Sequence, residues 1–178
     1  MKKISLSLLF LLLLSGFTSL AQEEKQPPVT LTKTEGSGFT YEKIIDLPGI
    51  SKEDAYARVK QWILANVKTV DNNISFDDKD KNSITTSAAL LLEQKTNMFA
   101  VPFVEFKISI GFKENKMRIT ATQFIIGENG QELPFESEHF FIGWPKKYKE
   151  SCYKSFDEKF PAMITAMTAA AMKKDDKW

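Results

Sequence analysis

The stretch Val101–Ile126, VPFVEFKISIGFKENKMRITATQFII, decides the fold because it predicts two strands joined by a tight turn. In its first half, apolar and polar residues alternate up to Phe112, the period of a strand with one buried face. A polar turn follows at residues 113–116. Pairing Phe112 with Met117 keeps apolar residues opposite one another on one face, as an antiparallel hairpin requires. The stretch therefore predicts a β-hairpin with one face in the core.

The same register assigns the remaining side chains of the hairpin to its outer face. The inner face takes Phe106, Ile108 and Ile119, and the outer face takes a mixed set of charged, hydroxyl and aromatic side chains. A solvated sheet has no need of aromatic residues, so they single this face out as a candidate surface. Its residues are Phe103, Glu105, Lys107, Arg118, Thr120, Thr122 and Phe124.

Upstream of the hairpin, the chain predicts a strand, a helix and two further strands. Phe39–Leu47 is rich in aromatic and β-branched residues, which is typical of a strand. Ser51 is a typical N-cap for an amphipathic helix, and the apolar arc of this helix includes Trp62 and extends to Val70. Leu64 falls on its polar side. The strands that follow are predicted at 73–77 and at 83–92.

Downstream, an aromatic segment at 135–148 is predicted as an extended edge and loop. Its residues Phe140, Phe141 and Trp144 form a second candidate surface, although such residues more often complete a core or cover a sheet edge. The last element is predicted as a helix at 150–174, whose apolar arc passes Pro161 without a change of phase. That helix can be kinked at the proline, which removes a backbone hydrogen bond.

The N-terminus has the three parts of a secretory signal peptide at residues 1–21. Lys2 and Lys3 precede an apolar run that is shorter than the about 20 residues needed to span a bilayer. Small residues then lead to cleavage after Ala21. Residue 22 is Gln22, not the cysteine of a lipoprotein, so we expect a soluble periplasmic or extracellular protein. A flexible linker at 22–37 and a single domain at 38–178 complete the predicted organisation.

Composition argues against several classes of function. Without the two lysines of the signal peptide, the chain has one more acidic than basic residue, so it has no overall attraction for nucleic acid. One cysteine, Cys152, cannot form an internal disulfide. Because Cys152 lies on the apolar arc of the last helix, we expect a buried thiol.

The sequence predicts no metal site and no cofactor. The acidic turn at 77–82 resembles the start of a calcium loop, but Ser83 replaces the required glycine and Ala89 replaces the bidentate glutamate. His139 is the only histidine, and no residues around it have metal-ligand spacing. Glycine-rich phosphate loops and nucleophile elbows are also missing from the sequence.

Three segments carry a resemblance to a known family. They are FTYEKIIDLPG at 39–49, SKEDAY at 51–56 with Trp62 and Ile63, and VEFKISI at 104–110 with KMRI at 116–119. Over about residues 39–126 the chain resembles an exported Bacteroidetes family of unknown function with a TBP-like fold. The resemblance implies an α+β fold, a curved antiparallel sheet with two helices packed on one face. It implies no activity, and DNA binding is not carried over from the fold.

Three functions remain open. The favoured hypothesis is a non-catalytic binding or interaction module of the cell envelope, whose uncovered sheet face binds an envelope protein or a small ligand. A carrier of a small apolar ligand between helices and sheet would use Trp62, Met163 and Met167. An envelope hydrolase would use dispersed carboxylates or His139. An empty apolar cavity would favour the carrier, and clustered titratable groups in a pocket would favour the enzyme.

Overall fold

The structure is a computed structural model that describes residues 31–34, 38–67, 76–92, 101–128, 130–137, 139 and 142–173. The predicted signal peptide lies outside these residues, as do Phe140 and Phe141. Within them the chain forms seven strands and two helices. The strands are β1 (Thr32–Thr34), β2 (Gly38–Asp46), β3 (Phe76–Asp78), β4 (Ser83–Leu91), β5 (Phe103–Lys113), β6 (Lys116–Glu128) and β7 (Gln131–Pro134). The helices are α1 (Lys52–Asn66) and α2 (Lys146–Met172).

The strands form one antiparallel sheet in the order β1-β2-β6-β5-β4-β3, with β7 paired to β6. Both helices pack on the same side of the sheet, where α1 contacts β5 and β6 and α2 contacts β4. The buried apolar residues of the helices and the sheet form one continuous core. The α+β prediction with two helices on one face of an antiparallel sheet is therefore confirmed.

The hairpin register predicted from the sequence is also observed. Phe112 lies opposite Met117, Ile110 opposite Ile119 and Ile108 opposite Ala121. All six side chains are buried on the helix side of the sheet. Because side chains alternate between faces, this register also fixes which residues point away from the helices.

Helix α1 begins where its cap predicts but ends early. The Ser51 side chain accepts a hydrogen bond from the backbone N–H of Asp54 at 3.1 Å, which satisfies one of the free amides of the first turn. The helix ends at Asn66, since Val67 is extended, whereas the apolar pattern predicted continuation to Val70. Val70 itself lies outside the described residues.

The two faces of α1 separate as predicted, with one exception. Ile63 is buried against the sheet, and Leu64 on the polar side is 64% exposed. Trp62 was expected in the core, but it is only half-buried at the margin of the core. The next residue, Ile63, points toward the sheet, so the wide indole of Trp62 lies at the side of the helix and not between the helix and the sheet.

Helix α2 begins at Lys146, one turn earlier than predicted, so the end of the predicted loop is helical. Pro145 caps it, and the carbonyl of Pro145 accepts a hydrogen bond from the Tyr148 amide at 2.8 Å. Tyr148 is buried by this first turn. The helix continues through Pro161 without interruption, and Cys152 is buried on its inner side, as predicted.

The predicted linker at 22–37 is too long at its C-terminal end. Thr32–Thr34 form β1, which pairs with β2 from Gly38 to Thr40. Leu31 is buried in the core. The folded domain therefore includes residues before the predicted boundary at Gly38, because backbone pairing and one apolar side chain bind this segment to the sheet. None of the described helices is long and apolar enough to cross a membrane.

Candidate functional site

The sheet surface that faces away from the helices is called the open face. No described element packs against it, and the backbone register arranges its side chains in rows. One row runs across β4, β5, β6 and β2 through Ser83, Gly111, Arg118 and Ile44. The next row consists of hydroxyl groups and one acid: Thr85, Ser109, Thr120 and Glu42.

Six of the seven residues predicted for this surface lie on it. Lys107 lies opposite Thr122 and is exposed, and Arg118 is exposed two positions from Thr120 on β6. Glu105 and Phe103 are half-buried nearer the other end of β5. The structure thus brings together Phe103, Glu105, Lys107, Arg118, Thr120 and Thr122 on one continuous surface.

The placement of Phe124 on the open face is wrong. The pairing shifts between Lys107 and Glu105, so that Gln123 and Phe124 together oppose Phe106. Gln123 takes up the extra residue with a φ of +56°, which makes this a β-bulge. After the bulge the side-chain alternation is reversed, and Phe124 is buried in the core, 3% exposed.

Phe103 has a specific neighbour on the open face. It lies opposite Gly127 of β6, and its ring occupies the space where a side chain at position 127 would lie. An aromatic ring over a glycine covers exposed backbone in a sheet. This contact explains the half-burial of Phe103, and it gives the ring a structural role at this end of the face.

At the other end of the open face lies a hollow of about 440 Å³. We call it the cationic hollow, because four of its lining side chains are positively charged. Sequence reasoning identified only one of them. The signal for Lys113 and Lys116 was present, since these two lysines flank the predicted hairpin turn and are paired across it. The lining residues are Ile44, Lys81, Gly111, Phe112, Lys113, Lys116 and Arg118.

One hydrogen bond holds the β3–β4 turn, which carries Lys81, against β5, and a second closes the turn itself. Asn82 has a φ of +48°, and its carbonyl accepts a hydrogen bond from the Phe112 amide at 2.9 Å. Asp78 accepts from the Lys81 amide at 2.9 Å and lies 3.2 Å from the Lys81 ammonium. The amide bond first, and then the ammonium, lower the pKa of the Asp78 carboxyl. The turn is thus a fixed wall of the hollow.

A charged contact on the other side of the sheet anchors the same turn to α1. The Asp77 carboxylate accepts hydrogen bonds from the Tyr56 hydroxyl and the Lys60 ammonium. These donors lower the pKa of Asp77, chiefly through Lys60 and then Tyr56. Because α1 packs in the core, β3 and the following turn are attached to the rigid part of the molecule.

The second candidate surface is only partly described. Trp144 stacks on Tyr148 with ring centroids 4.7 Å apart and is half-buried against the core. Its partners Phe140 and Phe141 lie outside the described residues. The contact with a buried tyrosine gives Trp144 a packing role at the start of α2.

The residues predicted for an apolar carrier separate into two environments. Trp62 and Met163 line an open groove of about 450 Å³ between α1, α2 and the end of β4, together with Leu90 and Ala166. Met167 is buried and lies outside this groove. Lys159 crosses one end of the groove and donates to the carbonyl of Leu91 at 2.8 Å.

A cluster of buried titratable groups lies at the start of α2 and the end of β6. The Tyr148 hydroxyl donates to the Glu128 carboxylate at 2.6 Å, and both side chains are buried. Burial first, and then the nearby Glu128 carboxylate, raise the pKa of the Cys152 thiol to about 12. The pKa of Tyr148 is raised by the same two causes. His139, the residue predicted for a hydrolase, is exposed. Among the described residues, no three histidine, cysteine, aspartate or glutamate side chains are grouped so that they could hold a metal ion.

Comparison with known proteins finds a matching protein family. Residues 41–126, the segment that runs from β2 to β6, match the family described as "Domain of unknown function (DUF4468) with TBP-like fold". The resemblance predicted from the sequence is confirmed. No curated protein sequence matches the chain.

Two solved structures show the same fold. A TBP-like protein from Parabacteroides distasonis ATCC 8503 is similar with a TM-score of 0.65 at 13% identity, over 80% of this chain and 97% of that one. A DUF4468 family protein from Bacteroides ovatus ATCC 8483 is similar with a TM-score of 0.63 at 13% identity, over 85% of this chain and 96% of that one. At this level of identity the likeness establishes the fold alone.

Proposed function

We propose that this protein is an exported, non-catalytic binding module of the cell envelope, and that it binds its partner through the open face. The partner is an envelope protein or a small ligand. The observation that carries the proposal is the row structure of the open face, where hydroxyl, charged and apolar side chains lie side by side and no described element covers them. Such side chains hold and orient a ligand through hydrogen bonds, charge and contact area.

The exposure of Ile44 supports this choice of surface. Its side chain is 61% exposed at the β2 end of its row, between charged neighbours on β2. The polar rows around it make hydrogen bonds and ion pairs with one another, such as Thr85 with Ser109 at 3.0 Å and Arg118 with Glu42 at 3.0 Å. Pairs of this kind at a surface stabilise the fold by only about 0–1 kcal/mol, so a ligand can exchange them for its own contacts.

The compartment follows from the predicted signal peptide, and it limits the partner. A chain that is exported and nearly neutral after cleavage has neither the location nor the charge for nucleic acid. We therefore propose partners from the envelope and not DNA or RNA.

A charge reversal on the open face tests the proposal. Lys107→Glu with Arg118→Glu should abolish the capture of envelope components that co-purify with the wild-type chain, detected by native mass spectrometry. The matched control is Lys52→Glu with Lys154→Glu on the helices, which changes the net charge equally and should leave capture intact. Arg118→Glu loses its pair with Glu42, so we expect a stability cost of up to about 1 kcal/mol. Equal capture by the two double variants would contradict the proposal.

A carrier of a small apolar ligand is the second candidate, favoured by the groove that Trp62 and Met163 line. Ala166→Trp would fill this groove, whereas Ala57→Trp on the exposed side of α1 would not. Loss of a co-purifying apolar molecule in the first variant only would support the carrier. Retention in both would refute it.

A further inference from the structure

We propose that the cationic hollow binds a small ligand that carries two or more oxyanion groups, either phosphates or carboxylates. This inference rests on the proposed function, because the hollow is one end of the open face. It goes further by giving the chemical class of the ligand and the part of the face that recognises it.

The lining of the hollow has one sign of charge. Lys81, Lys113, Lys116 and Arg118 contribute their cationic side chains, and none of the lining residues is acidic. Its volume of about 440 Å³ lies within the range of sites for small molecules. An anion of that size can contact several of these cations at once.

Three acids that are not among the lining residues pair with these cations, and two of the three pairs are exposed. Glu42 lies 3.0 Å from Arg118, Asp46 lies 3.8 Å from Lys116, and Asp78 lies 3.2 Å from Lys81. Glu42 and Asp46 are exposed, and exposed pairs of this kind contribute little to stability. A multiply charged anion can therefore compete with them for the cations.

The hairpin end places two like charges against each other. Lys113 lies directly opposite Lys116 in the register, an arrangement that destabilises a sheet. Among the described residues Lys113 has no ion pair that would offset this repulsion. An anion bound between the two ammonium groups would remove it, which is a physical reason for both lysines to line one hollow.

Gly111 gives the hollow its room. It lies between Ser83 and Arg118 in its row, with its missing side chain on the open face. A Cβ atom built at this position would meet no atom within 4 Å. A side chain at this position would thus begin in open space on the side of the hollow.

The cations come from three separate segments: the β3–β4 turn, the end of β5 and the beginning of β6. The turn is fixed to β5 through the Asn82 carbonyl, and β5 and β6 are paired up to Lys113 and Lys116. The backbone positions that carry these cations are therefore fixed around the hollow before any ligand arrives. Two or more anionic groups on one ligand would contact more than one segment, and this is why we propose a multivalent ligand.

Isothermal titration with pyrophosphate and with citrate, at low ionic strength, tests the inference on the chain as purified from cells. We expect binding of at least one probe, loss of that binding in Gly111→Val, and about tenfold weaker binding in Lys113→Gln or Lys116→Gln, the effect of one charge-assisted hydrogen bond. Lys154→Gln is the control, since Lys154 is exposed on α2, away from the open face, and this variant should bind as the wild type does. Thermal melts establish that each variant is folded.

The choice of probe separates the two sources of the anion. Tighter binding of pyrophosphate points to a phosphate ligand, and tighter binding of citrate points to a carboxylate ligand. The inference is overturned if neither probe binds, if Gly111→Val binds as the wild type does, or if Lys154→Gln weakens binding as much as Lys113→Gln. It is also overturned if a short DNA duplex binds more tightly than both probes. The titration can fail while the charge reversal of Lys107 and Arg118 still abolishes the capture of envelope components. That combination would refute the anion site and leave the proposed function standing.

Discussion

The rings of Phe106 and Phe124 stack with their centroids 5.2 Å apart and their planes at 26°. The contact exists because Gln123 adds one residue to β6 and turns Phe124 toward the helices. Phe124 then meets Phe156 and Phe160 of α2 edge-on. One bulge therefore joins the sheet to the long helix through an aromatic cluster, in which each pair contributes about 0.5–1.5 kcal/mol beyond its buried area.

The first prediction concerns the bulge residue itself. Gln123 holds a φ of +56°, a conformation that costs a non-glycine residue about 1 kcal/mol. Gln123→Gly should therefore raise the free energy of unfolding slightly or leave it unchanged, and Gln123→Val should lower it by about 1–2 kcal/mol. Urea unfolding of both variants measures the difference. A more stable Val variant would contradict the bulge geometry.

Sequence reasoning located the hairpin but not its bulge, for a physical reason. The pairs from Phe112 with Met117 to Ile108 with Ala121 follow from alternation alone, because a one-residue slip would expose every apolar side chain. Gln123 gives no such signal, since glycine or asparagine is the usual residue at a positive φ. For the residues of β6 after Gln123, the prediction continued the regular alternation of side chains between the two faces, which the bulge reverses.

The residues of the candidate site were also predicted only in part. Lys107, Arg118 and Thr122 were placed correctly because they lie between the bulge and the hairpin turn, where the pairing is regular. Lys81, which lines the cationic hollow, comes from a turn whose position depends on the backbone bond between Asn82 and Phe112. Such a contact between distant segments leaves no periodic pattern in the sequence.

The second prediction uses two adjacent residues of α1 as a matched pair. Ile63 is buried against the sheet and Leu64 is 64% exposed. Ile63→Ala should lower the free energy of unfolding by about 2–5 kcal/mol through lost burial and a cavity. Leu64→Ala should change it by less than about 0.5 kcal/mol. Denaturant melts that give equal losses would contradict the orientation of the helix.

The third prediction concerns the buried hydrogen bond between Tyr148 and Glu128. Tyr148→Phe removes the hydroxyl that donates to a carboxylate buried to 4% exposure, and it should cost about 1–3 kcal/mol. Tyr41→Phe is the control, because Tyr41 packs edge-on against Phe160 through its ring, and it should cost under about 0.5 kcal/mol. Chemical denaturation compares the two, and similar losses would show that the hydrogen bond has no net effect.

The fourth prediction is a loss of stability in alkali. The folded state raises the pKa of Cys152 from 9.0 to about 12 and raises the pKa of Tyr148. Between the unfolded and folded pKa values the unfolded chain releases these protons and the folded chain keeps them. The stability that these two groups contribute is therefore fully present below about pH 9. As the pH rises further, the free energy of unfolding falls by up to about 1.4 kcal/mol per pH unit for each proton. Urea midpoints from pH 7 to 10.5 measure the fall.

Cys152→Ala provides the control for this pH dependence. It should be less stable at pH 7 because of its cavity, yet its stability should fall less steeply between pH 9 and 10 than that of the wild type. A wild-type midpoint that stays constant up to pH 10.5 would contradict the prediction, and so would rapid reaction of the native thiol with a labelling reagent at pH 8.

The strand order affects how the chain folds during its synthesis. Tyr41 of β2 pairs with Ala121 of β6, roughly 80 residues later in the chain, and such distant pairing is slow because a long loop must close first. A nascent chain emerges with its N-terminus first, so the early strand β2 remains without its partner until β6 has been made. Until then its aromatic and aliphatic side chains stay accessible, which leaves time for a chaperone to bind before the sheet closes.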